Sequence, residues 1–191
     1  CYEEKGSTAS AKKEFVNAIK SDPQHIPSLY SLGIIYMKNE DSDDAASNFK
    51  AILKIDPDNH DAHYNMGVLY YKDEKYDDAI TEFKEALDKR NENADIYYNM
   101  GLAYFKKKLF EDAISSFKNT LKTKNKHVDA LHELGNSYNS IGNHEKAISL
   151  FNKVLTLSPK NATCYFHLGN AYRADKKRNE AHSAYKKAIE I

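Results

Sequence analysis

The sequence contains no apolar run that approaches the roughly 20 residues a helix needs to cross a bilayer. Its start also lacks the charged-then-apolar pattern of a secretory signal. We therefore expect neither a membrane span nor a secretory signal within these residues. Gly-rich phosphate loops, nucleophile elbows and C-x-x-C pairs are missing as well. These absences predict that the chain itself is not an enzyme and that it holds no cofactor.

Net charge is also lacking, because 28 basic side chains balance 28 acidic ones. This balance gives no support for a nucleic-acid or membrane partner held by bulk attraction, and we expect neither. The charge is uneven along the chain. Residues 26–93 carry 8 basic and 15 acidic side chains, whereas residues 94–191 carry 16 basic and 9 acidic ones. One end is therefore acidic and the other basic, which would orient a partner.

Glycine is scarce, but five of the seven glycines recur at a spacing of 34 residues. A large apolar residue precedes each of the five, a tyrosine follows three positions later, an alanine follows twelve positions later, and an aromatic residue comes four positions after that alanine. In the first full repeat these residues are Leu32, Gly33, Tyr36, Ala45 and Phe49. The five glycines are Gly33, Gly67, Gly101, Gly135 and Gly169. Agreement at so many positions excludes chance and indicates an internal repeat.

This frame resembles the tetratricopeptide repeat, whose pattern of W-x2-L-G-x2-Y, A-x3-F and P has a 34-residue period. Tryptophan is absent, and other large side chains take its position. The resemblance covers the whole chain and implies an all-α fold, an α-solenoid wound as a right-handed superhelix of antiparallel helix pairs. Residues 1–25 would be a partial repeat that holds the end of a first helix and a second helix. Full repeats would follow at 26–59, 60–93, 94–127 and 128–161, and the last, uncapped repeat at 162–191.

The recurring glycine is expected where the two helices of a repeat cross most closely, because a Cβ there would push the helices apart. Its helix-propensity cost of about 1 kcal/mol would be offset by the tight packing. Acidic pairs such as Asp43 and Asp44 are expected to open the second helices, where the helix dipole favours negative charge. Prolines such as Pro57 are expected to end them.

Both ends of the sequence fall inside the repeat frame. Cys1 is expected inside a first helix whose opening is absent, and Ile191 at the end of a second helix with no capping helix after it. We therefore expect a fragment of a longer chain. The uncovered last helix, with Ala184, Ala188 and Ile189, is expected to self-associate end to end.

Cysteine is limited to Cys1 and Cys164, which lie almost five repeats apart. A stacked array keeps distant repeats apart, and a disulfide needs Cα atoms within about 7 Å, so we expect no bridge between them. Two free thiols are consistent with a reducing compartment. We expect a cytoplasmic protein, with the cilium as an alternative location.

We interpret two clusters of histidine or carboxylate side chains as structural features and not as metal sites. His60 and His63 lie three residues apart and could share a metal ion, but His63 stands at the repeat's large-residue position, which favours a packed histidine. The acidic run from Glu40 to Asp44 lacks the glycine and the terminal glutamate of a calcium loop and is predicted to open a helix. We therefore expect no metal site.

In this family the first helices of successive repeats line a concave groove that binds a peptide, and repeat positions 2, 5, 6, 9, 12 and 13 face it. When these positions are counted within each 34-residue repeat of this sequence, they give a groove that is aromatic and aliphatic in the first three full repeats and rich in amides in the last two repeats. The candidate groove residues are Tyr30, Ile34, Met37, Tyr64, Asn65, Val68, Tyr71, Tyr98, Asn99, Leu102, Phe105, His132, Asn136, Asn139, Phe166, Asn170 and Arg173.

The two parts of this candidate groove differ in chemistry. Ile34, Val68 and Leu102 form an apolar stripe of the kind that marks partner sites, although local packing between first helices is the alternative interpretation. Asn136 and Asn170 can both donate to and accept from the backbone of an extended peptide. The carboxylate clamp of chaperone-binding relatives lacks its basic residues here, so binding of a chaperone's acidic C-terminus is disfavoured.

We therefore expect a protein-interaction scaffold, or adaptor, that binds an extended or helical peptide segment of another protein. Two alternatives remain open. The array could be the substrate-recognition arm of a larger enzyme, as in the glycosyltransferases that attach N-acetylglucosamine to Ser and Thr. It could also be a structural subunit of a large assembly, such as a ciliary transport or cell-cycle complex.

Overall fold

The computed structural model describes residues 2–87 and 93–191, with side chains described from residue 9 onward. The chain divides into two compact units, an N-terminal unit of Cys1–Asp88 and a C-terminal unit of Lys89–Ile191. Every helix or strand found within the described residues is an α-helix. Cys1, on which the disulfide expectation depends, lies outside them.

Each unit is a stack of helical hairpins. The helices of the N-terminal unit are α1 Tyr2–Ser21, α2 Ile26–Lys38, α3 Ser42–Ile55, α4 His60–Lys72 and α5 Tyr76–Glu85. Those of the C-terminal unit are α6 Ala94–Lys106, α7 Phe110–Thr123, α8 Val128–Ser140, α9 His144–Leu157, α10 Ala162–Ala174 and α11 Arg178–Glu190.

Packing within each unit follows one rule. In the N-terminal unit α2 pairs with α3 and α4 with α5, while α1 packs on α2 and α3 packs on α4. In the C-terminal unit α6 pairs with α7, α8 with α9 and α10 with α11, while α7 packs on α8 and α9 packs on α10. Each second helix therefore joins its own first helix to the next one, and the all-α, α-solenoid fold class is confirmed.

The recurring glycine lies where the two helices of a repeat approach most closely. A Cβ built on Gly33 would lie 2.8 Å from the Phe49 ring, and one built on Gly101 would lie 2.6 Å from the Phe117 ring. Real Cβ atoms essentially never come within 3.0 Å of such a neighbour. Phe49 and Phe117 are fully buried, so a shift of either ring would disturb the packed core around it. The expected close crossing at the glycine is confirmed.

The turn between the two helices of a repeat uses a residue in the left-handed region. Glu40, Lys108 and Gly142 have φ angles of 65°, 60° and 79°. The N–H of the following residue donates to the carbonyl of the repeat's tyrosine, as Asp41 does to Tyr36 at 3.0 Å. This bond closes the first helix in the way a left-handed C-cap does. Glycine adopts this φ freely, whereas Glu40 and Lys108 are strained by about 1 kcal/mol.

The first helix differs from the predicted frame. The repeat predicts the end of one helix and the start of another within residues 1–25, with the turn at Gly6, which stands 34 residues before Glu40. Instead, α1 runs unbroken from Tyr2 to Ser21. An unbroken helix keeps the backbone hydrogen bonds on both sides of Gly6 satisfied. The two-helix description of residues 1–25 is therefore wrong for this structure.

Capping side chains fix where the helices begin. Asn59 Oδ1 accepts from the backbone N–H of Ala62 at 3.0 Å at the start of α4, and Asn161 Oδ1 accepts from that of Cys164 at 2.8 Å at the start of α10. The expected acidic pairs stand in the first turns of α3, α5 and α7. Because these caps set the starting residue of each helix, they also set which residues share its exposed face.

Candidate functional site

Two aromatic candidate residues of the N-terminal unit pack against the second helix of their own hairpin. The Tyr30 ring lies edge-on to Phe49 with the ring centroids 6.1 Å apart, and the Tyr64 ring is tilted over Phe83 at the same separation. Tyr30 and Tyr64 are half-buried, so part of each ring remains on the surface formed by the first helices. In each unit we call the surface of the first helices its first-helix face; these helices are α2 and α4 in the N-terminal unit, and α6, α8 and α10 in the C-terminal unit.

The remaining candidates of the N-terminal unit are half-buried, apart from one buried asparagine. Ile34 and Met37 pack against the hydrophobic core of the unit, which favours the packing interpretation of Ile34. Val68 is half-buried on α4, and Tyr71 packs edge-on against a tyrosine of α5. Asn65 is 5% exposed, and its amide donates to the carbonyl one turn earlier in α4 at 2.7 Å. Asn65 therefore stabilises its own helix and is not presented to a ligand.

The candidates on α6 of the C-terminal unit form a partly buried aromatic surface. The Tyr98 ring stacks on the His127 ring with centroids 4.9 Å apart and tilts over the buried phenylalanine of α7. Leu102 and Phe105 pack against the core of the unit, and Asn99 is half-buried on the same helix. Packing therefore accounts for part of the apolar stripe at Leu102, as it does at Ile34.

A cavity of about 250 Å³, here called the amide cavity, opens on the first-helix face of the C-terminal unit. It is lined by residues of α6, α8 and α10, namely Phe105, Asn136, Asn139, Ser140, His167 and Asn170. Four of the six belong to the candidate groove residues predicted from the repeat positions. Ser140 and His167 are not in the candidate set, although both stand at repeat positions, 13 and 6, that the register assigns to the groove.

A hydrogen-bond network ties the amide cavity to α8 and α10. Asn136 Oδ1 accepts from His167 Nδ1–H at 2.5 Å, and Asn136 Nδ2 donates to Glu133 Oε2 at 3.1 Å. Glu133 Oε1 in turn accepts from His132 Nδ1–H at 3.2 Å. The imidazole rings of His132 and His167 stack with their centroids 4.8 Å apart. His132, a candidate residue, is therefore part of the wall behind the cavity and does not line it.

This network shifts two pKa values. Burial alone would raise the pKa of Glu133, but hydrogen bonds from His132 and Asn136 and the charge of the two histidines lower it below its usual value. Burial and the neighbouring His132 lower the pKa of His167. Glu133 is therefore ionised and His167 is neutral near pH 7, with its proton on Nδ1 and an acceptor lone pair on Nε2.

A second cavity of about 730 Å³, here called the terminal cavity, is formed by α10 and α11. Its lining residues are Ala162, Thr163, Phe166, Asn170, Arg173, Tyr185, Ala188 and Ile189. Asn170 belongs to both cavities, and its Oδ1 accepts from the Tyr185 hydroxyl at 2.9 Å. Phe166 and Ile189 are 51% and 85% exposed. The terminal cavity therefore adds a cation and an exposed apolar surface to the amides.

The histidine considered for metal binding is a packed residue. His63 Nδ1 donates to Glu82 Oε2 at 2.7 Å, and His63 Nε2 donates to the Pro57 carbonyl at 2.8 Å. Burial alone would lower the pKa of His63, but these hydrogen bonds and nearby carboxylate charge raise it above its usual value. In the part of the chain that the structure describes, no three His, Cys, Asp or Glu side chains could together hold a metal ion. No helix found there is both long and apolar enough to cross a membrane.

Stacked helical hairpins with cavities on the first-helix face define a helical-repeat protein, a class that uses such surfaces for binding. Sequence models described as the tetratricopeptide repeat match residues 2–59, 36–83, 94–127 and 126–191, and one described as the TPR repeat matches residues 69–108. The chain belongs to the tetratricopeptide repeat family. Its class is therefore that of protein-interaction scaffolds.

Solved structures support this assignment. A crystal structure of MamA is 31% identical, covers 83% of this chain and 93% of its own, and has a TM-score of 0.77. A second MamA structure is 29% identical over 86% of this chain and 90% of its own, with a TM-score of 0.81. YrrB, described as a TPR protein with an unusual peptide-binding site, shares the fold at 22% identity, over 92% of this chain and 91% of its own, with a TM-score of 0.83. No curated protein matches the sequence.

Proposed function

We propose that the chain is a non-enzymatic adaptor that binds a peptide segment of a partner protein on the first-helix face of its C-terminal unit. The observation that carries this proposal is the pair of adjoining cavities, which place amide groups beside exposed apolar surface. An extended peptide offers backbone carbonyls to the amides and side chains to the apolar surface. Several hydrogen bonds of about 1 kcal/mol each, together with apolar burial, would supply a micromolar affinity of about −8 kcal/mol.

The titratable groups near the cavities favour binding over catalysis. The Cys164 thiol is fully buried, and burial raises its pKa to about 12, so it is no nucleophile at neutral pH. The Glu133 carboxylate is held ionised by the donors that surround it, which makes it a weak base. His167 uses its Nδ1 proton to hold Asn136. These groups position the amide surface, which is the role that an adaptor requires of them.

The N-terminal unit would contribute an apolar contact of its own. Tyr30, Met37, Val68 and Tyr71 are half-buried, so their outer surfaces can meet a partner while their inner surfaces support the core. A cytoplasmic location, with the cilium as the alternative, would suit the reduced thiol of Cys164.

The test uses peptides selected by phage display on the immobilised chain and then titrated calorimetrically. Asn136→Ala combined with Asn170→Ala should weaken binding about tenfold or more, because two buried amide contacts are lost. Asn152→Ala is the matched control, since Asn152 is an exposed asparagine on α9 that lines neither cavity. It should leave the affinity unchanged.

Thermal unfolding of each variant separates loss of binding from loss of structure. Asn136 bridges Glu133 and His167, so its removal could loosen the unit, and Asn170→Ala alone then serves as the binding variant. If folded variants and Val68→Glu all keep the wild-type affinity, the first-helix faces play no part in binding and the proposal is wrong.

A further inference from the structure

The asparagines of the two cavities have their carbonyl oxygens occupied from within the C-terminal unit. Asn139 Oδ1 accepts from His144 Nδ1–H at 2.7 Å, and Asn170 Oδ1 accepts from the Tyr185 hydroxyl at 2.9 Å. Asn136 Oδ1 accepts from the α10 histidine described above. The three donors lie on α9, α11 and α10, so each carboxamide is held in one orientation by a different helix. The oxygen atoms are therefore already bonded before any ligand arrives.

Each of these oxygens has one of its two lone pairs occupied, whereas most of the amide N–H donors remain open to a ligand. A carboxamide carries two N–H donors on Nδ2. Asn136 donates one of them to Glu133. Asn139 and Asn170 have no Nδ2 partner among the described residues, so both can donate outward. The amides therefore do not donate and accept equally here, because a neighbouring helix already occupies part of the accepting side of each one.

Charge around the two cavities points in the same direction. Arg173 is exposed in the terminal cavity and forms no ion pair within the described residues of the C-terminal unit. No carboxylate lines either cavity, and the ionised Glu133 behind the amide cavity is bonded to His132 and Asn136. Ser140 and the neutral His167 ring add acceptors, but neither brings negative charge. Residues 94–191 carry 16 basic and 9 acidic side chains, so the charge of this part of the chain favours an anionic ligand over a cationic one.

On the basis of the proposed function, we propose that the C-terminal unit selects peptide segments in which an acidic side chain stands next to an apolar one. The carboxylate accepts from the Nδ2 groups of Asn139 and Asn170 with Arg173 nearby, and the apolar side chain packs on Phe166 and Ile189 in the terminal cavity. Asn170 belongs to both cavities, so neighbouring side chains of one peptide reach both.

A carboxylate fits these donors better than its closest neutral analogue. Both of its oxygens accept, whereas a carboxamide of the same shape offers one acceptor oxygen and an NH2 group that would face the N–H groups of the cavity. Hydrogen bonds to a charged acceptor are also roughly twice as strong as neutral ones. Aspartate and asparagine peptides therefore form an isosteric pair that isolates this preference.

The experiment compares three pools of fluorescein-labelled nonapeptides with random uncharged flanks and a central Asp-Leu, Asn-Leu or Lys-Leu. Fluorescence anisotropy with the wild-type chain should show the Asp-Leu pool binding about tenfold more tightly than the Asn-Leu pool, and the Lys-Leu pool binding most weakly. This comparison needs no variant, so it does not depend on any substitution being tolerated.

Variants then locate the preference. Asn139→Asp and Asn170→Asp replace the N–H donors by carboxylate oxygens of the same shape and should abolish the advantage of the Asp-Leu pool. Asn152→Asp adds the same charge on α9, outside both cavities, and should retain that advantage. Tyr185→Phe frees the Asn170 amide to turn, so the ratio of Asp-Leu to Asn-Leu affinity should fall while Asn-Leu binding is unchanged. A purely structural role of Tyr185 would weaken both pools alike.

The inference is overturned if the Asn-Leu pool binds as tightly as the Asp-Leu pool, or if Asn152→Asp removes the preference as fully as Asn139→Asp does. The proposed function does not depend on either result, because it is tested separately by titrating the display-selected peptides against the Asn136 and Asn170 alanine variants. If no pool binds while the display-selected peptides do, the acidic preference fails and the adaptor role stands.

Discussion

The close approach at the recurring glycine predicts how the fold responds to one added methyl group. A Cβ on Gly101 would lie 2.6 Å from Cε1 and 2.8 Å from Cδ1 of Phe117, which is fully buried. Forcing an extra methyl group into a packed core costs about 1–3 kcal/mol. Alanine in a helix interior is favoured over glycine by up to about 1 kcal/mol. Because the steric cost is the larger, Gly101→Ala should lower the free energy of unfolding by about 1–2 kcal/mol.

The sign of this effect should reverse when the ring is removed. In a Phe117→Leu background the methyl group has room, so Gly101→Ala should be neutral or should stabilise by up to about 1 kcal/mol. Urea unfolding of the four proteins, followed by circular dichroism, gives the free energy of each step. If Gly101→Ala stabilises the protein that keeps Phe117, or costs the same in both backgrounds, the explanation of the helix crossing is refuted.

Three further predictions concern the turns, one ion pair and the last helix. Gly142→Ala should destabilise the fold by about 1 kcal/mol through its φ of 79° alone, since a Cβ there meets nothing within 4 Å. Lys108→Gly should stabilise the fold by a similar amount, because glycine adopts the left-handed φ without strain. Unchanged urea midpoints would contradict both expectations. The pKa of His63 is raised in the folded chain, so its ion pair with Glu82 stabilises the fold below the ordinary pKa of 6.5, and this stabilisation is lost as the pH rises through the folded-state pKa. The free energy of unfolding should therefore be lower at about pH 9 than at about pH 6, and His63→Gln should remove this difference. Ile189, 85% exposed on the last helix, should support end-to-end association, so light scattering should give a mass that grows with concentration, and Ile189→Glu should remain monomeric; a strict monomer in both would count against it.

Much of the fold can be predicted from the sequence because its main contacts are local. Each of the five recurring glycines and the ring it touches belong to one hairpin, so every full repeat and the last one carry their own copy of the contact. The single helix α1 could not be predicted, because the pattern marks a turn at Gly6 but shows nothing of the packing that would hold it. The left-handed φ of Glu40 and Lys108 was also hidden, since the meeting of two helices imposes it on residues that do not favour it.

The candidate site is only partly predictable. Register places Asn139 and Asn170 on the first helices, but their orientation depends on His144 and Tyr185 of the second helices, and a 34-residue period carries no information about such pairings. Ile34 shows the opposite difficulty. An apolar residue at a groove position serves packing or binding equally well in the sequence, and only the core contacts of the structure distinguish the two.

The central claim is that a partner peptide lies on the first-helix face of the C-terminal unit. The most direct measurement is an NMR titration of the isotope-labelled chain with a display-selected peptide, following the asparagine side-chain amides. The resonances of Asn139 and Asn170 should shift on binding, and that of Asn152 on α9 should not. Shifts confined to Asn152 and its neighbours on the second helices, with Asn139 and Asn170 unmoved, would contradict the claim.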